Sequence, residues 1–281
     1  MHGPIRILTW NLWWRFGPWP RRRAAILEVL LQAGPDICGL QEVPADEEHD
    51  LAAELAEALG MHWAWLPSPE PEPWHSRLPG CTAAVGNVIL SRWPLEDGFD
   101  LPLPAGGSGD GSRTAIARVV SSPDGPIPVA SAQLTAAPWD SSTRCIQVRA
   151  LVERLAGLDQ SRYPVVLVGD MNAEPDSDEI RLLCGHKTAP AHERFVLVDA
   201  WRYAPEGAPS RTWDRDNPHV AATMEPSARI DYVLVGPPRG GRRGHVLSAR
   251  RIGAKPVRGI WPSDHAGVLV ELETGAAPAT A

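Results

Sequence analysis

Three absences narrow this chain first. It has no long hydrophobic run: no uninterrupted apolar stretch approaches the roughly 18 residues of a membrane-spanning helix, so no membrane insertion is expected. It has no closely paired cysteines. Cys38, Cys81, Cys145 and Cys184 lie apart, without a CxxC spacing, as reduced and mostly buried thiols in a reducing compartment would. It has no excess of positive charge, since 27 Lys and Arg face 34 Asp and Glu for a net charge of −7. That argues against a protein whose main work is gripping long duplex nucleic acid. Met1 to Asn11 is too short and polar for a secretory leader, so a cytoplasmic location is expected. There is no internal repeat and no linker long enough to separate two domains. The expectation is one domain over residues 1–274, a disordered tail over 275–281, and a monomer.

What is present alternates between strands and helices. Ile5 to Leu12 reads as a strand, Arg21 to Gln32 as a helix with an Ala25, Ile26, Val29, Leu30 stripe stopped by Gly34-Pro35, and Asp36 to Gln41 as a buried strand. Asp46 to Leu59 reads as an acidic helix ended by Gly60. Strands follow near Met61–Leu66, Ala83–Leu90, Thr114–Val119 and Ile127–Leu134. Asp140 is an N-cap candidate for a helix through Leu158. Then come a strand at Val165, a short helix from Asp176, and strands near Phe195, Ile230, His245 and Val268. Pro67–Pro79 and Pro102–Gly111 read as loops. The class is α/β with two packed sheets.

Acids and amides recur where apolar strands end. Asn11 closes the first run and Glu42 closes the second, Asp36 to Glu42. Asp170 and Asn172 follow Pro164-Val165-Val166-Leu167-Val168, two apart and so expected on one face of the strand end. Asp231 interrupts the apolar run Arg229 to Val235, and Asp264-His265 precedes the last strand. A carboxylate beside a neutral amide suits phosphate-ester hydrolysis: one accepts a proton or steers water, the other donates to an oxyanion. A buried Asp231 needs a partner. His265 is one candidate, and Arg229, two residues away, competes. Glu42 with Asn11 and Asp264 offers an all-oxygen set that suits Mg²⁺ or Mn²⁺ rather than zinc.

Two features stay open at this level. Arg239 to Arg258 holds seven basic residues and no acid, either a solvated loop and edge strand or a strip that attracts an anionic substrate. Twelve tryptophans, four of them between Trp10 and Trp19, either pack the core and rim or wall the site.

The ordered set Trp10-Asn11, Leu40-Gln41-Glu42, Gly169-Asp170-Met171-Asn172, Arg229-Ile230-Asp231-Tyr232 and Ser263-Asp264-His265 resembles the endonuclease/exonuclease/phosphatase superfamily, with its deoxyribonuclease I-like fold. Gly86 to Leu95 matches that family's GNAILSRYPL segment, and Arg144 and Gln147 its RxxQ helix. The likeness spans residues 5 to 272. It implies a four-layer α/β sandwich: two packed, mainly antiparallel sheets flanked by helices, with the site at one end of the facing sheets. It implies a divalent metal and hydrolysis of phosphoester bonds. Position by position, Asn11 and Glu42 hold metal, with Asp264 helping at the metal or the nucleophile. Asp170 directs water, Asn172 and His265 contact the scissile phosphate, and Asp231 orients His265. Gln133 stands in Ala132-Gln133-Leu134 where many members carry His. It can donate to a phosphate oxygen but cannot shuttle a proton. Trp13 and Val43-Pro44 depart from the abasic-site endonucleases and argue against that repair activity. The expected substrate is a phosphoester, either nucleic acid or a small phosphodiester or phosphomonoester. The rival is a non-catalytic phosphate- or nucleic-acid-binding module that kept the fold.

Overall fold

In the computed structural model, residues 3–107, 109 and 111–275 are described. The expected tail therefore lies outside the described residues apart from Gly275. The strands are β1 (Ile5–Asn11), β2 (Ile37–Ala45), β3 (His62–Pro67), β4 (Ala84–Ser91), β5 (Leu95–Pro102), β6 (Thr114–Ser122), β7 (Gly125–Gln133), β8 (Val166–Asp170), β9 (Val198–Asp199), β10 (Asp231–Val235), β11 (Val246–Ile252) and β12 (Gly267–Leu272). The helices are α1 (Trp19–Ala33), α2 (Leu51–Leu59), α3 (Glu72–Arg77), α4 (Ser141–Ala156), α5 (Asp178–Cys184) and α6 (Pro218–Ala221), with 3₁₀ turns at Ala200–Tyr203 and Gly240–Arg242.

Two six-stranded sheets form, in the orders β11-β12-β1-β2-β4-β3 and β5-β6-β7-β8-β10-β9. Only β1–β2 and β7–β8 run parallel, each joined by a crossover helix, so the sheets are mainly antiparallel as expected. Strand alternation makes four layers. Ile7, Ile37, Val166, Val168 and Val270 pack between the sheets. Leu8, Trp10 and Leu40 pack outward on α1 and α2. Leu167 and Leu234 pack outward on α4. The sheets meet closely at Gly39, where an added Cβ would lie 2.1 Å from Val168 Cγ2.

Several elements differ from the sequence expectation. The acidic helix starts at Leu51, not Asp46: Asp50 caps it, accepting from Ala53 N–H at 3.1 Å, while Asp46 pairs with Arg15 at 2.6 Å. The loop Pro67–Pro79 contains α3, whose Pro73 sits in the first turn, where its missing N–H is harmless. β5 was not anticipated. The strand expected near Phe195 reduces to an isolated bridge to His192, with the true pairing at Val198–Asp199. The four cysteines are unpaired; Cys38 is buried and the other three are half-buried, less buried than expected. Among the described residues, no helix is long and apolar enough to cross a membrane.

Candidate active site

The site forms where strand ends of both sheets converge. In one sheet, β1 exits at Asn11 beside β2, and β12 begins just after His265. In the other, the register sets Gln133 of β7 and Asp231 of β10 on either side of Asp170, the last residue of β8.

Local backbone distortions aim the key side chains. Glu42, expected to end its strand, instead sits inside β2, at a register shift between Leu40 and Val43, with φ of 52°. A bulge of this kind re-aims a side chain, and left-handed backbone costs a non-glycine residue roughly 1–3 kcal/mol unless its surroundings hold it. Gly169, at φ 155°, brings β8 against β7 so closely that a Cβ would lie 1.9 Å from Ala132 O. Asp170 and Asn172 do meet, but by a turn rather than by strand alternation. The chain leaves β8 at Asp170, and Asn172 takes φ of 47°. Its N–H donates to Asp170 Oδ1 at 3.0 Å, and its Nδ2 to Leu134 O at 2.9 Å.

Two amides hold two acids. Asn11 Nδ2 donates to Glu42 Oε1 at 3.1 Å and to Asp170 Oδ2 at 3.0 Å. Gln133 Nε2 donates to the same atoms at 2.8 Å and 3.3 Å. Asn11 Oδ1 accepts from Trp13 N–H at 2.9 Å. Asn11 thus turns its nitrogen, rather than an oxygen, toward Glu42. Among the described residues no donor reaches Glu42 Oε2.

Asp231 is fully buried and meets His265 Nδ1 at 2.8 Å. A carboxylate only accepts, so Nδ1 carries the proton. Arg229 is not its partner: that guanidinium bonds Asp199 Oδ2 at 2.6 Å. Asp231 Oδ1 has no partner among the described residues. Trp213 packs edge-on to the His265 ring at 5.0 Å, Thr212 Oγ1 receives the Asp231 N–H at 3.1 Å, and Trp10 Nε1 donates to His265 O at 2.9 Å. Asp264 is buried, and its Oδ1 accepts from Ser263 Oγ at 3.2 Å. Ligand atoms of Asp170, Asp231 and His265 lie within 4.8 Å of one another.

Burial sets the electrostatics. Asp170 is pushed up to about 6 by burial and the nearby Asp231 charge, with His265 and Asn11 pulling back. Asp264 is pushed up to about 7, by burial and by Glu42. Burial alone would lower His265, but Asp231, Asp170 and Asp264 outweigh it and hold it well above its ordinary value. Arg22 lies buried behind the site, its guanidinium donating to the carbonyls of Leu12, Trp13, Trp14, Phe16 and Pro262. Burial lowers it to about 10 against the fields of Asp264 and Glu42.

Sequence reasoning missed Arg22, Thr212 and Trp213. Arg22 had a signal: it falls on the inward stripe of α1 with Ala25, Ile26 and Val29. Of the tryptophans near the start, Trp10 and Trp14 are core. Trp13 is half-buried, packed against His219 at 4.5 Å with the rings tilted by 43° and beneath the Arg22 guanidinium at 4.7 Å.

Comparison with known proteins bears on the family and the fold. The model of the Endonuclease/Exonuclease/phosphatase family matches residues 8–265. Human Nocturnin is 24% identical over 300 residues, covering 96% of this chain and 65% of Nocturnin. Protein angel of Drosophila melanogaster is 28% identical over 200 residues, covering 66% of this chain and 54% of its own. The chain thus spans roughly half to two thirds of the length of these relatives. Among solved structures, the human Nocturnin catalytic domain with bound sulfate superposes with a TM-score of 0.73 at 22% identity, over 97% of this chain and 95% of that one. An endonuclease/exonuclease/phosphatase protein from Beutenbergia cavernae gives 0.71 at 24%, over 99% and 74%.

Proposed function

The chain belongs to the endonuclease/exonuclease/phosphatase family, and from that premise we propose that it is a divalent-metal-dependent phosphoesterase. The observation that carries this reading is the buried His265–Asp231 pair at 2.8 Å beside Asp170, whose proton affinity is raised to about 6. At neutral pH Asp170 is then mostly ionised yet basic enough to orient a water and take its proton. His265 stays protonated, held by Asp231, and places a positive charge where the phosphoryl oxygens develop negative charge. Asn172 presents its second Nδ2–H to the same group, since the first is tied to Leu134 O.

The residues fit a hard cation. The buried Asp170, Asp231 and Asp264 and the half-buried Glu42 lie close enough to feel one another's charge, and Asp170 and Asp264 hold protons more tightly for it, with His265 and Arg22 as the nearby cations. Among the described residues Glu42 Oε2 faces no donor, and the offered atoms are oxygens, as Mg²⁺ or Mn²⁺ requires. Glu42 and Asp264 would hold it, with Asn11 as a strut. Bound there, it would supply Lewis-acid neutralisation of a phosphoryl oxygen.

Nucleic acid and small phosphodiesters or phosphomonoesters fall within the same reading, as do a single catalytic domain over 1–274 and a monomer in the cytoplasm. Hydrolysis of an aryl phosphodiester that chelator abolishes and Mg²⁺ or Mn²⁺ restores supports it. Binding without turnover under every metal would replace it with the phosphate-binding module.

A further inference from the structure

We propose that Gln147 and Arg144, on the outer helix α4, are positioning residues for Asn172, acting through the connection that leaves β7. This rests on the phosphoesterase reading. Helix α4 is the crossover between parallel neighbours β7 and β8, so its N-terminal half lies over both strand ends. The apolar stripe Val148, Leu151, Val152 and Leu155 docks it into the core. Gln147, nevertheless, is buried and spends its amide on the loop: Oε1 accepts from Thr135 N–H at 3.0 Å, and Nε2 donates to Thr135 Oγ1 at 2.9 Å and to Pro104 O at 3.0 Å. Arg144, also buried, donates to Ala137 O at 2.7 Å, to Thr135 O at 3.3 Å and, through Nε, to Glu179 Oε1 at 2.7 Å. Glu179 lies on α5, the element after β8. One guanidinium thus ties the exit of β7 to the exit of β8.

The residue so fixed is Leu134. Its N–H donates to Asp170 O at 3.0 Å, and its carbonyl receives Asn172 Nδ2 at 2.9 Å. Among the described residues, Leu134 O is the hydrogen-bond partner that fixes the plane of the Asn172 amide, and hence the direction of the second Nδ2–H. If Thr135 moves, that plane turns. A misplacement of about 1 Å at a reacting centre costs up to roughly 10²-fold in rate.

The chain has four asparagines, Asn11, Asn87, Asn172 and Asn217, so selective ¹⁵N-asparagine labelling gives a readable set of side-chain amide pairs, with the Asn172 pair assigned by its loss in Asn172→Ala. In Gln147→Leu the Asn172 pair is expected to shift and exchange faster with water while the Asn87 and Asn217 pairs stay in place. On an aryl phosphodiester kcat should fall about tenfold with KM little changed. In the Asn172→Ala background the same substitution should cost less than about twofold. Gln147→Glu, which keeps the acceptor for Thr135 N–H, should recover part of the loss. If Gln147→Leu fails to fold, Thr135→Val removes the hydroxyl partner alone and is read the same way. An unmoved Asn172 pair, or losses that multiply in the double variant, overturns the proposal. A wild type without turnover overturns the phosphoesterase reading instead, and the amide spectra still decide this one.

Discussion

Gln133 Nε2 lies 2.8 Å from Glu42 Oε1 and 3.3 Å from Asp170 Oδ2, so one neutral amide bridges the acid proposed for metal and the acid proposed for water. Asn11 makes the same bridge from the facing sheet. The position where the family resemblance leads to an expectation of His is therefore a fixed contact of the acid pair, not a vacated one.

Removing that bridge should loosen both acids. Gln133→Ala is expected to lower the rate about tenfold and to raise the metal concentration needed by about 10–100-fold, the usual range for groups that orient a metal ligand. A metal titration of hydrolysis checks it. An unchanged midpoint and rate would show that Asn11 alone holds Glu42.

Asp231 and His265 should behave as a unit. His265→Ala is expected to cost at least about 10²-fold in rate. Asp231→Asn added to that variant should cost little more, because its partner is gone. Multiplying losses would mean that Asp231 acts on something besides His265, with its unpartnered Oδ1 the place to look.

The legible part of this molecule was the part governed by local rules. Strand ends, the cap at Asp140 and the buried need of Asp231 for a partner all follow from periodicity and the cost of burying charge. The choice of His265 over Arg229 was not legible, since it depends on Asp199, thirty residues away, capturing the guanidinium first. Nor was β5. It is an edge strand carrying Glu96, Asp97, Gly98 and Asp100, residues of poor strand propensity that suit an exposed edge. Glu42 looked like a strand end because a bulge has no signature in Gln41-Glu42-Val43. The four layers came through family resemblance, because which helices cover which sheet is a non-local fact.

Stability of the metal-free protein should fall as pH rises. Asp170 and Asp264 keep protons to about 6 and about 7 when folded, against about 3.8 for an ordinary aspartate, so above about pH 4 the folded chain binds more protons than the unfolded one. His265 acts with the same sign: its raised affinity stabilises fully below 6.5, and this is lost as pH climbs through the folded value. His219, lowered by burial and Arg22, opposes them, but it is a single partly exposed group. Asp46, Asp159 and Asp214, all lowered, matter only below 3.8. In chelator the melting temperature is expected to be higher near about pH 5 than near about pH 8, and Mg²⁺ should narrow the difference by binding the deprotonated acids. A rise in chelator across that range would contradict the site electrostatics.

The basic strip should matter little to catalysis, because the fold divides it. β11 starts at Val246, paired with Leu272 at the end of the sandwich away from the site, and finishes at Ile252, paired with Gly267 beside His265. Seven residues of strand span about 20 Å. Arg239, Arg242 and Arg243 therefore sit at the far end, where Arg242 pairs with Glu273 at 2.9 Å and Arg239 reaches Gln160 at 3.3 Å. At the near end of β11, Arg251 is bound to Asp214 at 3.0 Å, and past the strand Arg258 is bound to Glu28 at 3.0 Å. Among the described residues only Arg250 and Lys255 have no ion pair on the near side. Two phosphate contacts would give a salt slope of only about two units on duplex DNA. Two variants separate the cases, Arg250→Ser with Lys255→Ser, and Arg239→Ser with Arg242→Ser and Arg243→Ser, each assayed on a short DNA and a small phosphodiester across a salt series. The expected result is a mild and equal effect on both substrates for both variants. Selective loss of DNA cleavage in the first variant, through KM and with the salt dependence flattened by about two units, would instead make the near half of the strip a nucleic-acid contact.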